Sequence, residues 1–152
     1  MKLLADYQKK VGATEKYKQK IIYPALGLTS ESVLFINASR DNWRLKQAGK
    51  CFFYVALLTN DLNFDIGSIY AAAVEKGGFA YEDVTEAQWR MVDSVANICE
   101  YIRRSFSEES CGSTLSDDTQ FDIEFELTAY LSALIYVCDA LGVPWREILK
   151  SY

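Results

Sequence analysis

Hydrophobic residues recur every three or four positions through most of the chain, and this spacing constrains the fold more than any other feature. It is clearest in Trp89, Val92, Ala96, Cys99, Ile102 and Phe106, a sustained amphipathic stripe. The two prolines and eight glycines punctuate the seams between such stretches. No strand or hairpin pattern survives beside this spacing. The expected class is all-α.

Six helices are expected. The first covers Lys2 to Gln19, with Leu3, Leu4, Tyr7 and Val11 on one face and Gly12 weakening its middle. Pro24 and Gly27 mark Ile21 to Leu28 as a connecting loop. The second helix covers Ser30 to Ala38, capped by Thr29 or Ser30. The third runs from Trp43 to Leu62 and contains Cys51-Phe52-Phe53-Tyr54-Val55-Ala56-Leu57-Leu58. A helix apolar on nearly every side belongs in the middle of a bundle. Asp65 caps a short fourth helix that ends at Lys76 before Gly77-Gly78. Thr85-Glu86-Ala87-Gln88 has the form of a capping box opening the fifth, which carries the stripe. Ser107 to Thr119 is polar, with Gly112 and paired acids, and reads as a loop. The sixth helix runs from Phe121 to Leu141 and stops at Gly142, and Pro144 starts a last turn.

A chain of 152 residues suits one domain, 1–152, with a core that needs no staples. Net charge is −5 and the pI is near 4.8. Basic residues are scattered apart from Lys9, Lys10, Lys16, Lys18 and Lys20, which argues against a nucleic-acid partner. No apolar run approaches the ~18 residues of a membrane span. Met1 to Lys10 holds no apolar segment long enough for a secretory signal. Cys51, Cys99, Cys111 and Cys138 form no Cys-x-x-Cys pair, and three of them sit in apolar helical runs. A cytoplasmic protein without disulfides is expected. There is no histidine, which removes the usual zinc sites, Ser-His-Asp and Cys-His nucleophiles, and every imidazole base.

Two passages share a plan. Trp43 to Leu62 is a long apolar helix followed by a short one at Asp65. Glu124 to Gly142, then Pro144-Trp145-Arg146-Glu147-Ile148-Leu149, repeats it. The halves 1–78 and 79–152 read either as degenerate tandem repeats or as two generic helical hairpins. Both passages resemble the helix-turn-helix of the MazG-like all-α NTP pyrophosphohydrolases. In that family the third helix reads like Glu-Leu-Gly-Asp-Val-Leu-Trp-Tyr-Leu-Ala-Leu-Leu. Gln47-Ala48-Gly49-Lys50-Cys51-Phe52-Phe53-Tyr54-Val55-Ala56-Leu57-Leu58 is similar to it, glycine included. Asp6-Tyr7-Gln8 and Tyr23-Pro24-Ala25-Leu26-Gly27-Leu28 resemble the family's first helix and the turn into its second. The likeness covers Met1 to Ala73 and, more weakly, Thr85 to Tyr152. It implies a helical bundle, a nucleotide ligand and a homo-oligomer.

The family's chemistry rests on Glu-x-x-Glu on one helix and Glu-x-x-Asp on the next. Carboxylates three apart share a helix face, so four of them converge on Mg²⁺, which polarises the phosphates and activates water. Here the four positions read Leu34, Asn37, Gln47 and Lys50 in the first half, with Glu31 one turn earlier. In the second half they read Asn97, Glu100, Glu126 and Ala129. Lys50 stands where the resemblance puts a metal-binding Asp, and an ammonium repels a divalent cation. It either holds a phosphate directly or is a rim residue whose stem packs on apolar neighbours. Trp43, Phe53 or Tyr54 can offer a ring for base stacking.

The resulting expectation is a catalytically degenerate protein that binds or sequesters a nucleotide or nucleotide-derived signal, a role that suits a phage-encoded anti-defence factor. The ligand-binding set is Lys50, Gln47, Asn37, Glu31, Trp43 and Tyr54, with no cofactor. One alternative is a magnesium-dependent pyrophosphohydrolase with a reduced site built on Glu100, Glu126 and Asp93. The other is a helical interaction protein with no small-molecule site.

Overall fold

The computed structural model describes residues 2–75, 79–107 and 115–152. The helical spacing resolves there into α1 (Lys2–Thr14), α2 (Ile22–Ile36), α3 (Asp41–Asp61), α4 (Ile66–Tyr70), α5 (Val84–Ser107), α6 (Asp117–Ala140) and α7 (Trp145–Ser151). A π-helical turn, Ala71–Glu75, continues α4. No strand occurs among the described residues, so the chain is all-α. The expected end of the fourth helix at Lys76, and Gly77, Gly78, Cys111 and Gly112, lie outside the described residues.

Several boundaries differ from the sequence reading. The first helix ends at Thr14, not Gln19, and the Thr14 hydroxyl donates back to Lys10 O (3.1 Å) and Val11 O (3.3 Å). The stretch expected to be a loop is the start of α2. Pro24 sits in the first turn of that helix, where a missing N–H costs nothing. Thr29 therefore lies inside α2 and donates to Ala25 O at 2.9 Å instead of capping. Ile21, just before α2, is held at φ 68°, a conformation β-branched residues avoid. The buried Asp61 carboxylate accepts its amide at 2.7 Å and lies 3.5 Å from Lys20 Nζ, so α3 pins the approach to α2.

The capping box of α5 falls two residues earlier than expected. Asp83 accepts from Glu86 N at 2.8 Å, and Glu86 accepts from Glu82 N at 2.6 Å. Ser116 caps α6 by accepting from Thr119 N at 3.2 Å, which starts that helix at Asp117 and not Phe121. Asp65 caps α4 as expected, accepting from Gly67 N and Ser68 N.

α3 and α6 end in the same way. Asn63 N donates to Asn60 O and Phe64 N to Thr59 O, with Asn63 at φ 56°. Gly142 N donates to Asp139 O and Val143 N to Cys138 O, with Gly142 at φ 70°. Each is a Schellman motif, in which a left-handed residue lets two late carbonyls find donors. Each leads into a short helix, α4 or α7.

α2 pairs with α3, α5 with α6, and α2 with α5, while α3 meets α6 across the middle. α1, α4 and α7 lie against α3 and α6. Leu127, Tyr130, Leu131, Leu134 and Val137 of α6 are fully buried, each contributing about 1.5–3 kcal/mol of apolar transfer. Trp145 of α7 stacks on Phe52 (5.5 Å between centroids) and donates its indole N–H to Asp139 at 3.0 Å. The stripe on α5 needs a correction. The core side of that helix is Ala87, Met91, Val95, Ile98 and Ile102, whereas Trp89 is 64% exposed and Ala96 and Phe106 face outward. No single helix among the described residues is long and apolar enough to cross a membrane.

Candidate functional site: the seam between α2 and α3

Trp43, Gln47, Lys50 and Tyr54 fall at steps of four, three and four, so they form one stripe along α3. The antiparallel α2 supplies the opposite wall. Gly27 lies against the Tyr54 ring, Glu31 meets Lys50, and Arg44 Nε donates to Ala38 O at 3.1 Å near the far end. Five of the six candidate ligand-binding residues thus share this seam. Asn37 closes α2, where its Nδ2 donates to Val33 O at 2.9 Å and its side chain is exposed.

The centre of the seam is an ion pair with unfilled valences. Lys50 Nζ donates to Glu31 Oε1 at 3.2 Å, with the lysine side chain 43% exposed and the glutamate 13% exposed. Glu31 Oε2 is buried and has no donor among the described residues. One turn along, Gln47 is 2% exposed, and its Oε1 also lacks a donor. Buried oxygens without partners are rare because each forfeits its hydration. An ammonium has three donors, so the bond to Glu31 leaves Lys50 with capacity toward solvent.

At one end of the seam, Tyr54 packs edge-on to Tyr23 (5.8 Å) and Phe53 (5.2 Å). The hydrogen bond to Tyr23, with burial behind it, pushes the Tyr54 phenol up to about 12. At the other end Trp43 is half-exposed, with Lys46 Nζ 5.4 Å from the ring.

The second hairpin places its three acids differently. Glu126 on α6 is 6% exposed, accepts from Asn97 Nδ2 at 3.1 Å, and keeps Oε2 without a donor. Glu100 receives three guanidinium bonds at 2.8 Å from Arg103 and Arg104, which hold its carboxyl down to about 2. Asp93 is exposed on α5. Among the described residues, no three Asp, Glu, Cys or His side chains converge as a ligand set. A carboxylate saturated by two arginines is a poor magnesium ligand, so this donor set does not fit the ion.

Sequence reasoning missed one polar network. Ser32 Oγ lies 2.6 Å from Tyr130 Oη in the core and donates to Leu28 O at 2.6 Å. Burial pushes the adjoining Cys51 thiol up to about 12, which removes it as a nucleophile. No periodicity signals this network, because its members come from helices far apart in sequence.

No protein-family model, curated protein or solved structure matches the chain.

Proposed function

We propose that the protein is a catalytically degenerate relative of the MazG-like pyrophosphohydrolases that binds a nucleotide or nucleotide-derived signal along the α2–α3 seam without turning it over. The observation that supports this is the pair of buried, donorless oxygens, Glu31 Oε2 and Gln47 Oε1, beside a half-exposed Lys50. Two acceptors suit the N–H edge of a base, and a lysine suits a phosphate. Trp43 and Tyr54 flank them with rings.

The reading of the halves as degenerate repeats draws on these same positions. The shared caps of α3 and α6 set Gln47 against Glu126 and Lys50 against Ala129. Taking Leu34 with Asn97 sets Glu31 against Ser94. Each of Glu31, Gln47, Ser94 and Glu126 carries a buried oxygen with no partner. Binding without turnover amounts to sequestration, the role a phage-encoded anti-defence factor would fill. The interaction-protein reading draws on a different surface, where Leu26 and Val33 of α2 and Trp89 of α5 are exposed.

Titration calorimetry against a panel of nucleoside mono-, di- and triphosphates and cyclic dinucleotides, with and without EDTA, tests the proposal. A complex insensitive to EDTA is expected, with affinity falling roughly 10- to 150-fold in Lys50→Met, the loss of one charge-assisted bond of about 1.5–3 kcal/mol. Mg²⁺-dependent release of pyrophosphate that is lost in Glu126→Gln would replace it with the enzyme reading. Lys50→Met binding as tightly as the native chain would show the lysine to be a rim residue.

A further inference from the structure

Phe121, Phe125 and Thr128 stand at steps of four and three on α6, so they share one face of that helix. That face lies outside the core: Phe121 is 72% exposed and Phe125 50%. Phe79, in the segment before α5, packs edge-on to Phe125 with 5.9 Å between ring centroids. Together with Ala72 of the π-helical turn and Glu124, these residues line a hollow of about 330 Å³. No residue of the α2–α3 seam borders it.

The side chains of this lining accept and do not donate. Three phenyl rings present π faces, the negative side of their quadrupole. Thr128 spends its hydroxyl proton on Glu124 O at 2.8 Å, which leaves only lone pairs. The exposed Glu124 carboxylate has no hydrogen bond or ion pair among the described residues. α6 has no lysine or arginine, while Asp117, Asp118, Asp122 and Glu124 crowd its first eight residues. Charge therefore disfavours an anion in the hollow, and a neutral apolar group would draw nothing from the carboxylate.

The same rings already accept a cation. Arg90 Cζ lies 5.3 Å from the Phe79 centroid and 5.9 Å from that of Phe125. Arg90 does not border the hollow, so it braces the two rings while Glu124 supplies the charge that a ligand would meet.

From this lining we infer that the hollow binds the quaternary ammonium group of a small molecule, a trimethylammonium compound of the choline type. A protonated primary amine brings three N–H donors, for which the lining holds one carboxylate and one hydroxyl. N-methyl groups need no acceptor. They bury apolar surface against the rings, while the positive charge spread over them meets the π faces and the carboxylate. A hollow of about 330 Å³ is at the small end of ligand sites, which suits such a group. The inference is independent of the nucleotide reading, because the seam and the hollow share no residue.

Saturation-transfer NMR and titration calorimetry with choline chloride test this, beside its uncharged isostere in which a tert-butyl group replaces the trimethylammonium. The N-methyl resonance should move upfield as the rings shield it, and choline should bind at least about tenfold more tightly than the isostere. Phe121→Leu and Glu124→Gln should each weaken binding roughly 2- to 30-fold. Circular dichroism should stay unchanged in both, because both side chains are exposed. Absence of saturation transfer to choline at millimolar concentration overturns the inference. So does an isostere that binds equally, or binding indifferent to both variants. Sedimentation with phosphatidylcholine vesicles, without binding of free choline, would overturn the small-molecule assignment in favour of a lipid surface.

Discussion

Gly27→Ala should destabilise the protein in its native background and stabilise it once Tyr54 is cut back to alanine. In a helix interior the exchange is ordinarily favourable by about 0.8–1 kcal/mol, because glycine loses more backbone entropy on folding. At Gly27 the added Cβ would stand 2.2 Å from Tyr54 Cε1 and 2.5 Å from Cδ1 and Cζ, which is inside any real carbon contact. Three ring atoms must therefore move. The ring is held by edge-on packing against Tyr23 and Phe53, each such contact contributing about 0.5–1.5 kcal/mol. Overpacking generally costs about 1–3 kcal/mol. Subtracting the helix gain leaves a net loss of up to roughly 2 kcal/mol, or up to about 4–8 °C in Tm for a chain of this size.

With Tyr54→Ala in place, nothing remains for the new methyl to strike, and the helix term alone should survive as a gain of up to about 1 kcal/mol. The coupling between the two sites is then roughly 1–3 kcal/mol, above additivity for independent positions. Urea denaturation of the native chain, both single variants and the double variant measures it. If Gly27→Ala raises stability in the native chain, or lowers it equally in both backgrounds, α2 and α3 do not approach as described and the seam's geometry is wrong with them.

Two further outcomes follow from the same contacts. Lys50→Met should lower stability by about 1–2 kcal/mol, because it leaves Glu31 nearly buried with neither oxygen paired, and Glu31→Gln should restore most of the loss; an unchanged urea midpoint in Lys50→Met would mean that Glu31 is hydrated. Raising the pH should unfold the protein between about 10 and 12: the folded Tyr54 phenol and Cys51 thiol titrate near 12, above their unfolded values, so the native state binds more protons there and loses stability as pH rises through that window. Tyrosinate absorbance followed beside circular dichroism checks this, and complete ionisation of all ten tyrosines with the helices intact would contradict it.

The fold class was legible because helical periodicity and the near absence of proline act through every segment at once. The boundaries were legible where a cap is local, as at Asp65 and Gly142, and illegible where a tertiary contact overrides a local cue. Pro24 and Gly27 both read as loop residues on composition. Pro24 is tolerated because it occupies a first turn, and Gly27 is required because Tyr54, 27 residues later, fills the space a side chain would need. The stripe on α5 failed for a related reason. Periodicity finds an apolar side of a helix, but it does not say whether this chain or another covers it. Trp89, Ala96 and Phe106 satisfy the same spacing as a core while facing outward.

The candidate site divides along the same line. That Gln47, Lys50 and Tyr54 share a face follows from their spacing alone. That Glu31 meets Lys50 depends on the register between α2 and α3, which rests on where α2 begins. A second helix starting at Ser30 would place Glu31 in its first turn as a plain capping acid; beginning at Ile22 puts it mid-helix, turned toward α3. The sequence shows Gln47 and Lys50 at positions where the family resemblance implies acids; that two oxygens there lack a donor among the described residues is visible only in the structure. At the centre of the seam Lys50 meets the Glu31 carboxylate, and Glu31 Oε2 and Gln47 Oε1 have no donor among the described residues. Had the substitutions only erased a metal site, apolar residues would be the least costly fillers, because a buried polar atom without a partner costs about 1–3 kcal/mol. Retaining donorless oxygens beside a lysine runs against that cost, and a ligand that supplies N–H groups and takes up the ammonium would offset it.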